Sequence, residues 1–312
     1  LKTSESVRSL HALRERLVAS DYREVINFSF VEPAWEADFA GEADPIRLLN
    51  PIASHQSVMR SSLIGSLVEV VRKNHSRKVP RIRVFEVGRA FLRDRSVQDG
   101  PLAVGGLRQP MRIAAAAYGP ALGEQWDLPA RGVDLFDVKA DLENLVAPRR
   151  ARFEPASHPA FHPGRSARVV LDGAAAGWIG ELHPRWLQKY ALPQAPVLFE
   201  VDAEALQTVP LPSPGVPSDQ PVVVRDISLL FPLEASVGAI LEAIEAEKPA
   251  IVRLVTLLSL FRGPGVPGNL KSLAFRVVMQ HTERTLTDAE ADAARDALVA
   301  LLGRKFSATI RT

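Results

Sequence analysis

Apolar and polar positions follow their most regular pattern near the C-terminal end of the chain. Apolar, β-branched runs predict strands at residues 222–231, 251–261 and 270–280. Apolar side chains recur at helical spacing over residues 236–247, and Pro249 ends this predicted helix. The second and third strands are joined by the sequence RGPGVPGN, which is typical of a turn because glycine and proline dominate it.

A second helix in this region is predicted from its N-terminal signal. Thr287 and Glu290 have the spacing of a capping box, and the helix then extends to about Leu302. Residues 305–312 predict a last strand. The order βαββαβ is that of a ferredoxin-like fold, with an antiparallel sheet and both helices on one face. Because this fold serves many functions, the topology alone assigns none.

The longer N-terminal region mixes helices and strands. Helices are predicted at residues 9–22, from about Ser61 onwards, and at 136–146. Strands are predicted at residues 24–31, 81–92, 112–119, 167–173, 175–183 and 196–202. This region is therefore expected to be an α+β domain with a sizeable, mostly antiparallel sheet.

A proline-rich segment separates the two regions. Residues 207–221 read QTVPLPSPGVPSDQP, and proline there removes backbone donors and fixes φ. Such a segment is typical of a semi-rigid linker. The sequence predicts a domain at residues 1–206, a linker at 207–219 and a second domain at 220–312.

Composition limits the class of protein. With 46% hydrophobic and 24% charged residues, the 312-residue chain can bury a core. It contains no cysteine, which excludes disulfides and thiolate zinc sites and fits a reducing compartment. It also lacks an apolar run of the roughly 18 residues that a membrane span needs. The chain starts LKTSES without Met, so we expect a fragment of a longer cytoplasmic protein.

Positive charge is concentrated in one segment although the formal net charge is only +2. Residues 72–95 carry nine arginines and lysines against Glu86 and Asp94. A solvated face is the ordinary interpretation of such a segment, and a phosphate-rich partner or an acidic protein surface is the alternative.

Histidines are the first candidate for chemistry. His158 and His162 are four residues apart in SHPAFHPGRS, which is the spacing of a metal site on a helix. Pro159 and Pro163 follow them directly, and proline disfavours helical conformation at the residue before it. We therefore expect a turn in which the imidazoles hydrogen-bond backbone groups, and no metal.

Other catalytic patterns are missing from the sequence. It has no G-x-S-x-G elbow, and the glycine-rich turn lacks the ending of a phosphate loop. Asp137 and Asp141 are expected on a solvated helix face. In the small domain, Phe231, Phe261 and Phe275 occupy strand positions where core packing is expected, with base stacking as a secondary possibility.

Several longer motifs together resemble one family. They are NPIASHQSVMRSSL, RVFEVGRAF, LFDVKADLENL and HPGRSARVV with GELHP, and then VVVRDISLLF and LKSLAFRVVMQHTERTLTDAEA. Over nearly its whole length the chain resembles the C-terminal part of the β subunit of bacterial phenylalanyl-tRNA synthetase. Ala140 replaces the usual glycine of one motif, and the turn LSLFRGPGVPGN replaces a more usual D-x-Y-x-G arrangement.

The resemblance implies a fold and a role. Residues 1–206 would be a class II synthetase-like domain that lacks catalytic residues and packs against the catalytic α subunit of an (αβ)₂ assembly. The second domain would contact the anticodon region of tRNA(Phe). The holoenzyme would use ATP and Mg²⁺, with neither bound by this fragment.

The candidate site residues fall into two groups. The candidates for tRNA binding are basic residues of the second domain: Arg225, Arg262, Lys271, Arg276, Arg284, Arg304 and Lys305. The candidates for a degenerate class II motif or the α-subunit interface are Arg60, Arg83, Glu86 and Arg89. Two alternatives remain open, which are a free-standing class II-like ATP-dependent ligase and a protein-binding scaffold.

Overall fold

A computed structural model describes residues 6–42, 44–211 and 217–311 of the chain. The chain divides into two compact units, Leu1–Leu211 and Pro212–Thr312, which are described separately below. Residues 212–216 of the predicted linker lie outside the described residues. The predicted boundaries at 206 and 220 stay a prediction.

The first unit is built on a seven-stranded sheet. Its strands and those of two small ribbons are β1 (Arg23–Glu24), β2 (Phe30–Val31), β3 (Val58–Met59), β4 (Ile82–Arg89), β5 (Leu92–Arg93), β6 (Leu107–Arg108), β7 (Met111–Tyr118), β8 (Ala151–Pro155), β9 (Phe161–Leu171), β10 (Ala174–Leu182) and β11 (Val197–Asp202). The large sheet has the order β1-β4-β7-β11-β10-β9-β8. Its neighbours are antiparallel except for the parallel pair β1 and β4.

Helices cover both faces of this sheet. They are α1 (Leu10–Ala19), α2 (Pro33–Trp35), α3 (Ile64–Ser76), α4 (Leu135–Val146), α5 (Pro184–Lys189) and α6 (Ala203–Gln207), with a π-helical turn at Glu36–Ala40. Alternate residues of each strand point to opposite faces. Ile113, Ala115 and Ala117 of β7 therefore pack with α1 and α4, whereas Ala114 and Ala116 pack with α3.

The second unit has the predicted βαββαβ order. Its elements are β12 (Val223–Pro232), α7 (Val237–Glu247), β13 (Val252–Phe261), β14 (Leu270–Met279), α8 (Asp288–Phe306) and β15 (Thr309–Ile310). The antiparallel sheet has the order β13-β14-β12-β15. One face packs on both helices and encloses a core that includes Phe231, Phe275, Ile240 and Leu298. The ferredoxin-like prediction is confirmed.

Three element predictions are wrong in detail. The single strand expected at 24–31 is split, because β1 pairs with β4 while β2 pairs with β3 in another sheet. The last helix continues to Phe306, so the strand predicted at 305–312 shortens to two residues. The turn expected around His162 is part of a strand, because β9 begins at Phe161.

None of the helices in the described residues is long and apolar enough to cross a membrane.

Candidate functional site

A row of polar side chains crosses one face of the seven-stranded sheet. Glu86 of β4 and Glu200 of β11 are both in register with Ala114 of β7, the strand that lies between them. Both carboxylates are buried, at 2% and 3% exposure. Such buried acids need partners, because an unpaired charge is costly in a medium of low polarity.

Arg60 is the partner of Glu86. Its Nη1 lies 2.8 Å from Glu86 Oε1, and its Nε donates to the Arg89 carbonyl oxygen at 3.1 Å. The amide of Asn27 donates to Glu86 Oε2 at 2.7 Å. Gly88 makes room for the guanidinium, since a Cβ there would lie 2.3 Å from Arg60 Nη2. Both carboxylate oxygens of Glu86 therefore have donors, Oε1 from Arg60 and Oε2 from Asn27, and the pair holds this arginine against the sheet.

Glu200 holds the segment that follows Arg60. It accepts hydrogen bonds from Ser62 Oγ at 2.9 Å, the Leu63 amide at 2.8 Å and Arg112 Nη1 at 3.1 Å. The neighbouring Ser61 donates to Glu36, a buried acid whose pKa is raised by burial. The segment 60–63 is thus held by two carboxylates of the sheet, Glu86 and Glu200, and by Glu36 of the π-helical turn, and all three accept hydrogen bonds from it.

The other two candidates of this group are also engaged. Arg83 Nη1 lies 2.7 Å from Asp141, which also accepts from the Tyr22 hydroxyl at 2.9 Å. The expectation of a solvated face is wrong for Asp141, whose side chain is 15% exposed, because Arg83 and Tyr22 cover it. Arg89 is exposed, and its Nη1 donates to the Gln109 carbonyl oxygen at 2.9 Å. As a surface contact, Arg89 is the best placed of the four.

The histidines hydrogen-bond backbone groups, as predicted. Nδ1 of His158 accepts from the Ala160 amide at 3.3 Å, and Nδ1 of His162 accepts from the Gly164 amide at 3.0 Å. His183 caps α5 by accepting from the Arg185 amide at 3.0 Å. Burial and, to a lesser extent, the charge of Arg112 lower the pKa of His158 to about 4.

The described residues contain no group of three or more histidine, aspartate or glutamate side chains that could hold a metal ion.

In the second unit, most candidate cations are paired with carboxylates of the same unit. These pairs are Arg225 with Asp288 at 2.6 Å and Asp292 at 3.2 Å, Arg276 with Asp226 at 2.8 Å, Arg284 with Glu290, and Arg304 and Lys305 with Glu247. A phosphate would have to compete with these partners. Side chains that are already neutralised are therefore weaker candidates for RNA contact.

Lys271 is engaged in another way. Only 5% of this residue is exposed, and its Nζ donates to the carbonyl oxygens of Leu233 at 2.9 Å and Ala235 at 2.5 Å. Burial and the charge of Arg262 lower its pKa. Lys271 thus ties β14 to the residues that precede α7, and its ammonium is not presented to solvent.

Arg262 differs from the other candidates. It makes no ion pair or hydrogen bond within the described residues, and it follows Phe261 at the end of β13. Phe261 is 41% exposed, so the prediction of core packing is wrong for it, whereas Phe231 and Phe275 are buried as predicted. Phe261 pairs in register with Ser272 of β14, and the next residue of that strand, Leu273, points into the core. Phe261 therefore lies on the open face of the sheet, away from the helices.

Arg311 completes this group. Its guanidinium lies over the Phe261 ring, 5.4 Å from the centroid, and its Nη1 is 3.4 Å from Ser272 Oγ. The end of the open face thus presents an aromatic ring that the Arg311 guanidinium overlies and that Arg262 follows in the chain. The sequence contains a signal for it, an aromatic residue directly before a glycine-proline turn, but that signal does not show which face the ring occupies.

Comparison with known families covers both units. The model of the phenylalanyl tRNA synthetase beta chain CLM domain matches residues 2–203. The model of the ferredoxin-fold anticodon binding domain matches residues 218–311.

Curated relatives show the same likeness. The phenylalanine–tRNA ligase beta subunits of Ralstonia nicotianae and Burkholderia pseudomallei are each 51% identical over 99% of this chain, and that of Dechloromonas aromatica is 46% identical over 98%. The chain spans 39%, 39% and 38% of the length of these proteins.

A solved pyrrolysyl tRNA synthetase from Desulfitobacterium hafniense is similar at a TM-score of 0.46 and 12% identity, covering 65% of this chain and 67% of that one. This score is too low to support a conclusion about fold. The family models and the curated relatives show that the chain belongs to the phenylalanyl-tRNA synthetase β chain family and carries its ferredoxin-fold anticodon-binding domain.

Proposed function

We propose that the chain is the C-terminal part of the β subunit of a phenylalanine–tRNA ligase. In this proposal it binds the anticodon region of tRNA(Phe) and packs against the catalytic α subunit. The assembly attaches phenylalanine to tRNA in the cytoplasm, using ATP and Mg²⁺ on the α subunit. The absence of cysteine fits that compartment.

One observation carries the tRNA-binding part of the proposal, namely the group formed by Phe261, Arg262 and Arg311. An exposed aromatic ring on a sheet can stack on an unpaired base, and arginines beside it can contact phosphates or stack as well. Arg262 has no carboxylate partner in the described residues, so a phosphate does not have to displace one.

The test is binding of the chain to tRNA(Phe) transcript at several salt concentrations. Phe261→Ala is expected to weaken binding by about 1–3 kcal/mol, the range for loss of one base–aromatic stack, with the salt dependence unchanged. Arg262→Ala and Arg311→Ala should each weaken binding and lower the salt slope by about 1, because each removes one phosphate contact.

Arg304→Ala is the matched control, since this arginine is exposed and already paired with Glu247 at 3.0 Å. It should change affinity less than twofold, roughly the effect of an exposed, ion-paired residue. Equal losses for Arg304→Ala and Arg262→Ala would point to general charge attraction and contradict the site. No loss for Phe261→Ala would contradict base stacking.

The buried network of Arg60, Glu86 and Glu200 supports a role without catalysis for the first unit. In a free-standing ATP-dependent ligase, charged groups on this face would have to be available to substrates, whereas here they bind one another. Phenylalanine-dependent ATP–pyrophosphate exchange by the isolated chain would contradict our proposal. The expected result is exchange only when the α subunit is added.

An apolar surface around β2 and β3 supports docking of the α subunit. Ile26 is 93% exposed, Phe28 68%, Leu49 98% and Ile52 80%. Phe28 also lines an adjacent cavity of about 550 Å³ together with Trp35. Exposed apolar patches of this kind mark protein interfaces. Phe28→Ser is expected to weaken capture of the purified α subunit at least about tenfold, as for an aromatic hot spot.

Leu102→Ser is the control for this experiment, since Leu102 is fully exposed (101%) on a separate loop. Unchanged capture by Phe28→Ser would place the α-subunit interface elsewhere. A protein-binding scaffold without a role in tRNA charging would bind α or another protein normally and show no affinity for tRNA(Phe) at low salt.

A further inference from the structure

A second cavity lies on the face of the seven-stranded sheet that carries Glu86 and Glu200. Its volume is about 280 Å³, and strands β7, β9, β10 and β11 contribute residues to it. That volume is the space of roughly nine water molecules in the liquid, which suits one small metabolite. The polar groups that line the cavity are those of Arg112, Arg168, Trp178, Glu200 and Asp202.

The strand register places these five side chains on one face of the sheet. Arg168 of β9 pairs with Trp178 of β10, and Trp178 pairs with Glu200 of β11. Asp202 lies two residues beyond Glu200, and Arg112 of β7 pairs with it. Residues that pair in register, or that are two apart in a strand, point to the same face. From the usual strand spacings, the Cα atoms of Arg168 and Asp202 are about 12 Å apart.

The part of β10 that lines the cavity carries little or no side chain. It consists of Ala175, Ala176 and Gly177, where the register with β9 shifts. A Cβ at Gly177 would lie 2.1 Å from the Glu200 carbonyl oxygen, so this close approach of the strands requires glycine. The space between the polar side chains is therefore left open by the backbone itself.

Two of the four charged groups neutralise each other. Glu200 accepts hydrogen bonds from Ser62, from the Leu63 amide and from Arg112 Nη1 at 3.1 Å. Arg112 Nε is buried and has no hydrogen-bond partner within the described residues, although Asp202 Oδ1 lies 3.5 Å away. Because buried donors normally find an acceptor, this pair offers a ligand one donor and no net charge.

Arg168 and Asp202 are the charged groups that remain available. The Arg168 guanidinium lies over the Trp178 ring, 5.3 Å from its centroid, and makes no hydrogen bond or ion pair in the part of the chain that the structure describes. The Asp202 side chain is 40% exposed and does not cap α6. Among the described residues, its carboxylate accepts no hydrogen bond. A cation and an anion therefore line the same cavity from different strands.

We infer that this cavity binds a free α-amino acid. A ligand with only one kind of charge would meet a like charge at Arg168 or at Asp202, whereas a zwitterion satisfies both with charge-assisted hydrogen bonds. The carboxylate of the ligand binds the Arg168 guanidinium, and its ammonium binds Asp202. An apolar side chain of the ligand lies against Trp178 and Val201, which also line the cavity. This site needs neither tRNA nor the α subunit.

Isothermal titration calorimetry of the full chain with leucine tests the inference. Two analogues isolate the charges, since 4-methylpentanoate lacks the ammonium and 3-methylbutylamine lacks the carboxylate. Leucine is expected to bind saturably at one site. Each analogue should bind at least about tenfold more weakly, because it loses one hydrogen-bonded charge pair.

Variants assign each charge to its side chain. Arg168→Met should weaken leucine at least about tenfold and leave 3-methylbutylamine unchanged, because this analogue has no carboxylate to lose. Asp202→Asn should weaken leucine to the same extent and should not weaken 4-methylpentanoate. Arg77→Met is the control, since Arg77 is exposed, makes no ion pair within the described residues and does not line the cavity.

Circular dichroism should show an unchanged fold in these variants, because Arg168 is exposed and the Asp202 side chain is 40% exposed. The inference would be overturned by a lack of saturable leucine binding, or by an analogue that binds as tightly as leucine. Leucine binding that persists in folded Arg168→Met and Asp202→Asn variants would also overturn it, as would an equal loss in Arg77→Met.

Discussion

At the scale of single residues, the first unit uses its buried carboxylates for structure. Glu86 and Glu200 lie on one face of the sheet, and their partners are Arg60, Asn27, Ser62 and the Leu63 amide. A general base needs an acceptor that is free to take a proton from a substrate. Here each carboxylate is occupied by donors of its own chain, so the network fixes the segment 60–63 against the sheet.

Arg60→Met tests the strength of this network. The Arg60 and Glu86 side chains are each 3% exposed, so the variant leaves a buried carboxylate without its cation. Removing one partner of a buried pair is expected to lower the free energy of unfolding by about 3–5 kcal/mol. Denaturant unfolding measures it. Arg72→Met, which removes the ion pair between the 45% exposed Arg72 side chain and Glu69, should lower the free energy of unfolding by less than about 1 kcal/mol.

The stability of the first unit is expected to depend on pH through His158. Its pKa in the folded chain is about 4, below the ordinary 6.5, because the neutral ring is buried beside Phe161 and Trp178. As the pH falls, His158 is therefore protonated at a higher pH in the unfolded chain than in the folded chain. The free energy of unfolding should drop between pH 6.5 and 4, by up to roughly 3 kcal/mol from this group.

His158→Gln removes this contribution, so the measured difference in stability between neutral pH and about pH 4.5 should shrink relative to the parent chain. His11→Gln, which changes an 80% exposed histidine side chain, is the control and should leave the difference unchanged. An identical pH dependence in the His158→Gln variant would show that another group is responsible.

The sequence predicted which basic residues could bind RNA, but it did not show which of them are already paired with carboxylates of the same unit. Arg225 and its partner Asp288 are 63 positions apart, and Arg276 and Asp226 are 50 apart. Pairs that form across strands and helices do not leave a local pattern in the sequence. Arg262 was among the predicted residues, whereas Arg311 joins it only because β15 pairs with β12 and the Arg311 side chain reaches across the sheet to Ser272 and Phe261.

At the scale of elements, local signals set helix ends more reliably than strand ends. The prolines correctly excluded a helix around His162, yet Pro163 lies inside β9. Residues 162–165 bulge there, because Phe161 and Ser166 pair with Leu182 and Gly180 across a shift in register. Proline is tolerated in strands at such irregular positions. The bulge depends on the neighbouring strand, so the sequence of β9 alone does not show it.

The capping box of α8 gives a prediction for a single element. Thr287 Oγ1 accepts from the Glu290 amide, and Glu290 accepts from the Thr287 amide at 3.0 Å. Thr287→Ala should lower the free energy of unfolding of this unit by about 1 kcal/mol. Thr287→Ser keeps the oxygen and should change it by only a few tenths. Equal losses in both variants would assign the effect to the lost methyl group rather than to the cap.

At the scale of the whole molecule, the second unit has a core of its own. The buried cluster that includes Phe231, Phe275, Val277 and Leu302 is formed by residues of this unit. We therefore predict that residues 217–312 fold alone, with a single cooperative denaturant transition and near-native circular dichroism. A fragment that shows no cooperative transition would contradict this, and the full chain unfolded under the same conditions is the reference.

The sequence by itself determined the βαββαβ order, the position of its helices and the family, because hydrophobic periodicity, capping and motif spacing are local properties. Only the tertiary structure decided which charges are available and which apolar side chains are exposed. The sequence of its strand predicts that Phe261 is a core residue. It lies instead on the open face, because the bulge in β13 between Leu257 and Ser259 reverses which residues point to the core. Burial and ion pairing depend on residues far apart in the chain, and folding alone brings those residues together.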